Sequence, residues 1–222
     1  MPDWEALHLL PTDVLLDRSL EIQRNHWAGK IEPCAIVNAK SGACSQDCRF
    51  CAQSAAHQTG IESYPLLSIE SIAEAAIRAK DAGAVRFSIV TSGDTLNQSD
   101  FDSICTAIHH IREKTGLMVC ASCGTLTREQ FQRLKHAGLT RYHHNIETAP
   151  SYFPSIATTH TIETRMQTIH TAAECGLEIC SGGIFGLGES EEQRLEFAMT
   201  LRSLPLTAIP INILVPIPGT PL

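Results

Sequence analysis

Runs of apolar residues alternate along the chain with segments in which apolar positions recur with helical periodicity. The apolar runs predict strands at residues 33–38, 85–91, 117–122, 140–147, 177–180 and 208–217. The periodic segments between them predict helices at residues 68–83, 100–115, 127–136, 161–174 and 190–204. A glycine follows four of these segments, as is typical of helix C-caps: Gly83, Gly116, Gly138 and Gly176.

Strands that are separated by helices indicate an α/β fold with a parallel sheet and right-handed crossovers. Without a dinucleotide-binding fingerprint, this spacing favours a (β/α) TIM-type barrel over an open doubly wound sheet. A closed barrel of eight strands takes roughly 250 residues. With about six predicted strands before Leu222, we expect a barrel that is incomplete at its C-terminus. We predict an N-terminal helical cap at residues 1–30 and the barrel domain at residues 31–222.

Composition excludes several classes of protein. The chain has 222 residues, 43% of them hydrophobic, and a net charge of −7 from 17 Lys+Arg and 24 Asp+Glu, so it is not intrinsically disordered. It lacks a basic cluster that would attract nucleic acid and an apolar run of the roughly 18 residues that a membrane helix needs. We therefore expect neither nucleic acid nor a membrane as a partner.

The cysteines point to metal or redox chemistry rather than to disulfides. There are nine of them, an odd number. The first 29 residues lack the basic start and apolar stretch of a signal peptide, so we expect the reducing cytoplasm, where disulfides are rare.

Three cysteines, Cys44, Cys48 and Cys51, are clustered directly after the first predicted strand. The active sites of parallel barrels form at the C-terminal ends of the strands, so this cluster lies where chemistry is expected. Three thiolates suit a soft metal or an iron–sulfur cluster. His57 could complete a structural zinc site, which prefers four protein ligands. Without a fourth ligand, a cubane cluster would keep one iron open to a small molecule.

The spacing C-x3-C-x2-C, with Phe50 before the last cysteine, resembles the signature of the radical S-adenosylmethionine (radical SAM) superfamily. In that superfamily a 4Fe-4S cluster binds S-adenosylmethionine through its open iron and reduces it to a 5′-deoxyadenosyl radical, within a full or partial (β/α) barrel. Within the superfamily, four further stretches resemble the biotin synthases, at residues 41–44, 141–147, 180–189 and 210–221. The similarity covers the chain from about residue 33 to its last residue.

The resemblance implies roles for polar residues beyond the thiols. Asn145 and Glu147 match residues that hold the ribose of S-adenosylmethionine, with Glu147 in place of the aspartate of well-known members, and we also expect Asn145 to contact substrate. Alternation along a strand would turn both in one direction together with His143. Arg165 matches a residue that binds the methionine carboxylate, and Asn212 one that contacts the ureido ring of dethiobiotin.

A second iron–sulfur cluster, of the 2Fe-2S or a variant type, is implied as the sulfur source. Cys120 and Cys180 match two of its three usual cysteine ligands, but the third position is Ser88, and a serine is a poor substitute for a soft thiolate. The usual arginine ligand would come from a later strand. Cys123 could be a further ligand if its strand ends near Ser122. We expect the remaining cysteines in the core: Cys34, Cys105 and Cys175.

The activity implied is sulfur insertion into dethiobiotin to form biotin. The resemblance also implies a flavodoxin- or ferredoxin-type electron donor and a homodimer. Two alternatives stay open at this point. The first is another radical SAM enzyme, related to methylornithine synthase or to a hydrogenase maturase. The second is an iron–sulfur or zinc-binding module without catalytic activity.

Overall fold

A computed structural model describes residues 4–7 and 9–222, and the chain divides into two compact units, Met1–Pro33 and Cys34–Leu222. The first unit contains helices α1 (Trp4–Leu7) and α2 (Thr12–Trp27). Of the predicted cap, residues 1–3 and 8 lie outside the described residues. Its role as a cap stays a prediction.

The second unit alternates strands with helices, as predicted. Its strands are β1 (Cys34–Lys40), β2 (Arg86–Thr91), β3 (Met118–Ser122), β4 (Leu139–His143), β5 (Glu178–Cys180), β6 (Gly183–Phe185) and β7 (Ile211–Ile213). Its helices are α3 (Ile69–Asp81), α4 (Gln98–Thr115), α5 (Arg128–Ala137), α6 (Ile162–Glu174) and α7 (Glu191–Ser203), with a 3-10 turn at Phe153–Ser155. Strands β1 to β5 form one parallel sheet in sequential order, and β6 pairs in parallel with β7. The predicted α/β fold with a partial (β/α) barrel is confirmed.

The two faces of the main sheet carry different residues. Alternate positions such as Phe87, Ile89 and Val119 join the apolar core that the helices cover. The opposite positions form the inner face, where Arg86 of β2 reaches Cys120 of β3 at 3.7 Å and Glu178 of β5 at 3.4 Å. Because neighbouring strands lie about 4.8 Å apart, a contact from the second strand to the fifth requires the sheet to curl around this face.

The helix ends follow local sequence chemistry. Ser68 caps α3, and Thr127 forms a capping box with Gln130 at the start of α5. Gly116 and Gly138 end their helices in the left-handed conformation, as predicted. In the described part of the chain, every helix is too short or too polar to cross a membrane.

The chain after β4 differs from the predicted strands. Strand β4 ends at His143, not at Glu147, and Glu147 has a positive φ of 68°. A strand that was not predicted, β6, follows two residues after β5, and the last predicted strand is shortened to β7. The glycines explain this path. A Cβ on Gly183 would lie 2.1 Å from the Glu147 carbonyl oxygen, and one on Gly182 would lie 1.9 Å from that of Pro210. These glycines therefore allow three backbone segments to approach closely.

Candidate active site

The loop after β1 places its three cysteines by backbone hydrogen bonds. The amide of Cys44 donates to the carbonyl of Gln53 (3.0 Å), and that of Cys51 donates to Cys48 (2.9 Å). The hydroxyl of Ser92, just beyond β2, donates to the carbonyl of Gly42 (2.7 Å). The loop is thereby attached to the C-terminal end of the sheet, where a parallel barrel places its chemistry.

Asp47 attaches the same loop to the segment that precedes α6. Its carboxylate accepts hydrogen bonds from the Thr158 amide (2.9 Å), the Thr159 amide (3.2 Å) and the hydroxyls of both threonines. Burial raises the pKa of Asp47, but these hydrogen bonds outweigh burial and hold that pKa well below its ordinary value. The carboxylate is therefore ionised at neutral pH and ties the cysteine loop to a second segment of the chain.

A cavity of about 280 Å³ opens at this end of the sheet. It brings together the residues that the sequence associates with the first cluster and with S-adenosylmethionine: Cys44, Cys48, Phe50, Cys51, Asn145, Glu147 and Arg165. They come from the loop after β1, the segment after β4 and helix α6. Residues that are far apart in the sequence therefore line one cavity.

The polar side chains of the cavity are connected by hydrogen bonds and an ion pair. The Asn145 amide nitrogen donates to Glu147 (3.3 Å), and its amide oxygen accepts from the backbone of Gly182 (3.0 Å). Arg165 pairs with Glu147 at 3.4 Å, and both side chains are at least 85% buried, with 15% and 11% of their surface exposed. The backbone of Gly182, just before β6, thus fixes the orientation of the Asn145 amide.

Burial dominates the electrostatics of this group. It raises the pKa of Glu147, although Arg165 and the Asn145 hydrogen bond oppose the increase. Burial, together with Arg165, lowers the pKa of His143 to about 4, so this imidazole is neutral at pH 7. The Nε of Arg165 is buried and has no hydrogen-bond partner among the described residues. A buried guanidinium donor without a partner suits an anionic ligand in the cavity.

The donor set of the cavity suits an iron–sulfur cluster. All three are free, and burial raises the pKa of Cys48 to about 12, so this thiol exchanges its proton for metal on binding. Among residues 4–7 and 9–222, no three His, Cys, Asp or Glu side chains are placed to hold one metal ion. The ring of His57 instead pairs with the Cys48 carbonyl (3.1 Å). Three thiolates are the ligand type that iron–sulfur clusters take.

The cavity also contains residues that the sequence did not single out as site residues. His144 was expected to be structural, yet it lines the cavity, and its buried Nε2 has no hydrogen-bond partner among the described residues. Ser92, Asp94 and His160 line the cavity as well. A lone serine, aspartate or histidine near a strand end has no spacing signature, so only the fold could bring these residues to the site.

The predicted ligands of the second cluster lie elsewhere, on the inner face of the sheet. The Cys120 thiol lies 3.7 Å from Arg86, and the Cys180 thiol lies 3.3 Å from His143 Nδ1. Ser88 is buried and pairs in register with Cys120. Cys34 is exposed, in contrast to its expected place in the core, because even-numbered residues of β1 turn away from the helices.

Two further predicted residues have their own surroundings. Cys123 follows the end of β3, but its side chain is 1% exposed and packs in the apolar core, where burial raises its pKa to about 12. We therefore leave Cys123 out of the proposed ligand set. Asn212 of β7 donates from its amide nitrogen to the Gly183 carbonyl (3.1 Å). Cys105 and Cys175 were expected in the core, but both are only half-buried.

The chain is similar in sequence to known proteins. The radical SAM superfamily matches residues 39–201. A biotin synthase from Thermotoga neapolitana is 52% identical over 192 residues, which cover 86% of this chain and 69% of that protein. One from Pelotomaculum thermopropionicum is 48% identical over 204 residues, covering 92% of this chain and 64% of that protein. The chain thus spans about two thirds of the length of the curated relatives it matches.

Solved structures show the same fold at much lower identity. A crystal structure of methylornithine synthase matches 99% of this chain and 66% of its own, with a TM-score of 0.85 and 17% identity. The FeFe-hydrogenase maturase from Carboxydothermus hydrogenoformans matches 95% of this chain and 51% of its own, with a TM-score of 0.80 and 17% identity. These likenesses concern the fold alone, whereas the sequence identity is far higher to biotin synthases. The chain belongs to the radical SAM superfamily and, within it, to the biotin synthase family.

Proposed function

We propose that this chain carries the catalytic centre for sulfur insertion into dethiobiotin, which forms biotin. The observation that carries the proposal is the single cavity in which three free thiols meet Asn145, Glu147 and Arg165. Membership of the biotin synthase family supports the choice of reaction and substrate over those of other radical SAM enzymes.

One group of cavity residues binds the first cluster, and a second group positions S-adenosylmethionine. Cys44, Cys48 and Cys51 would hold the 4Fe-4S cluster, and Phe50 lines the same cavity. When they are bound, the cluster and S-adenosylmethionine supply a 5′-deoxyadenosyl radical, which removes hydrogen from unactivated carbon.

The other cavity residues position the cofactor. Arg165 binds the carboxylate of S-adenosylmethionine through its Nε, which has no hydrogen-bond partner within the described chain. Asn145 and Glu147 accept hydrogen bonds from the ribose diol.

The remaining assignments follow from the family and from placement on the sheet. Cys120 and Cys180 bind the second cluster on the inner face, Asn212 contacts the ureido ring of dethiobiotin, and Asn145 also contacts this substrate. A flavodoxin- or ferredoxin-type protein donates electrons, the enzyme is a homodimer, and it acts in the cytoplasm, where its thiols stay reduced.

Cleavage of S-adenosylmethionine tests the proposal. The chain is reconstituted anaerobically with iron and sulfide, and 5′-deoxyadenosine is measured with and without dethiobiotin. We expect S-adenosylmethionine to change the spectrum of the cluster and dethiobiotin to increase cleavage. The variant Asn212→Ala should lose the response to dethiobiotin but retain the spectral change. A cluster spectrum that ignores S-adenosylmethionine would contradict the proposal, and cleavage that ignores dethiobiotin would favour another radical SAM reaction.

A further inference from the structure

Three thiols belong to the inner face of the curled sheet, on alternate strands. Cys34 is the first residue of β1, Cys120 lies in the middle of β3, and Cys180 is the last residue of β5. Cys34 pairs in register with Arg86 of the intervening strand. The guanidinium group of Arg86 in turn lies 3.7 Å from the Cys120 sulfur. One side chain of β2 therefore lies between the first thiol and the second.

The three thiols share the same electrostatic surroundings. Desolvation by the surrounding protein raises the pKa of Cys34, Cys120 and Cys180, although Cys34 is the most exposed of the three, and the same two guanidinium groups, those of Arg86 and Arg141, lower each of these values in part. Cys34 also interacts electrostatically with both of the other thiols. Two neighbouring cations favour the thiolate, which is the form that binds iron.

Cys34 also accounts for the serine at the usual third ligand position. Ser88 pairs in register with Cys120 on one side and with Ile36 on the other. Cys34 is two residues before Ile36 and therefore on the same face of β1. The Cys34 thiol thus lies on the strand next to Ser88. Along that strand it is two residues closer to the N-terminal end than the residue that pairs with Ser88. That displacement keeps the thiol on the inner face.

The other cysteines lack these features. Cys123 packs in the core on the helix side of the sheet. Cys105 lies in α4, and Cys175 caps α6, where its thiol contacts the Arg128 carbonyl at 3.7 Å. These two half-buried thiols lie on the helices, away from the inner face, and serve as matched controls.

We propose that Cys34 is the third protein thiolate of the second iron–sulfur site, together with Cys120 and Cys180, and that it replaces the ligand missing at Ser88. The proposal rests on the proposed function, since that function requires a second cluster as the sulfur source. It assigns the ligand to a strand that precedes the first cysteine loop.

The test separates the second site from the first. The triple variant Cys44→Ala/Cys48→Ala/Cys51→Ala removes the first site, so iron and acid-labile sulfide bound after anaerobic reconstitution report the second. In this background we compare Cys34→Ala, Cys120→Ala and Cys180→Ala with Cys105→Ala and Cys175→Ala. Circular dichroism and the unfolding transition establish that each variant is folded. Cys34→Ser serves as a second variant of nearly the same size as the native residue.

We expect each of the three inner-face substitutions to reduce bound iron and sulfide by more than fivefold and to alter the Mössbauer spectrum of what remains. The two control variants should match the triple variant. Iron retained by both Cys34→Ala and Cys34→Ser at the control level would overturn the proposal, as would a triple variant that binds no iron. Failure of the proposed function is recognised separately, by the response of the unmodified chain to S-adenosylmethionine and dethiobiotin.

Discussion

The molecule has two groups of thiols that are built in opposite ways. Cys44, Cys48 and Cys51 lie within one loop and line one cavity. Cys34, Cys120 and Cys180 lie on three different strands, and the curl of the sheet brings them to one face. The spacing of a motif shows the first group without any structure. The second group becomes visible only when the register of the strands is known.

The two groups also differ in charge. The loop thiols lie beside a buried pair, Arg165 and Glu147, which provides one positive and one negative charge. The inner-face thiols lie near the guanidinium groups of Arg86 and Arg141. Both guanidinium groups pair with the partly exposed Glu178. We expect the first site to depend on its loop and its anionic ligand, and the second to depend on the integrity of the sheet.

The largest expected effect comes from Cys48→Ser. Cys48 is the buried member of the loop group, and a hydroxyl is a poor ligand for iron. Cleavage of S-adenosylmethionine should fall by about 10³-fold or more, because the cofactor supplies the reactive chemistry. Iron at the second site should remain, as measured by iron and sulfide analysis, with Cys105→Ser as the control. Loss of all iron would show that the two sites are not independent and would break the comparison.

The sequence predicted the barrel and the loop site, but not the path of the chain after β4. Periodicity was sufficient for helices α3 to α7, because each buries one face. It could not predict β6, since a cluster of glycines in a sequence is equally typical of turns, whereas here Gly182 and Gly183 allow backbone segments to approach each other. It also assigned Cys34 to the core. An apolar run does not show which of its two faces is covered by helices, and that depends on the whole sheet.

Gly183→Ala tests the close approach of β6 to the backbone of Glu147, beside the loop site. An added Cβ would lie 2.1 Å from the Glu147 oxygen and 2.4 Å from its carbonyl carbon, so backbone must move. We expect the free energy of unfolding, measured in urea, to fall by about 2–3 kcal/mol. Gly116→Ala is the control: its φ of 69° disfavours alanine but its Cβ would meet open space, so we expect a loss of about 1 kcal/mol. Equal losses would mean that close approach is not what Gly183 provides.

Arg165→Lys tests the anionic ligand of the loop site. Lysine keeps a positive charge beside Glu147 but loses the planar, two-pronged donor geometry. The affinity of the reconstituted chain for S-adenosylmethionine should weaken about tenfold, or about 1.4 kcal/mol. Equilibrium dialysis measures this, with Arg194→Lys as the control, since Arg194 pairs with Glu189 outside the cavity residues. Unchanged affinity would remove Arg165 from the binding site.

The smallest expected effect concerns the attachment of the cysteine loop. In Asp47→Asn the side chain keeps one carbonyl oxygen as an acceptor and loses its charge, so some of its hydrogen bonds to Thr158 and Thr159 are lost. We expect about 1 kcal/mol less stabilisation of the loop. A chelator should therefore remove iron from the first site a few times faster, while iron at the second site leaves at its original rate. Asp102→Asn is the control, because Asp102 accepts hydrogen bonds from Gln98 and Arg133 on helices remote from the loop. Faster loss of iron from both sites would mean that Asp47 supports the sheet as well as the loop. The loop site and the strand site would then not be structurally independent.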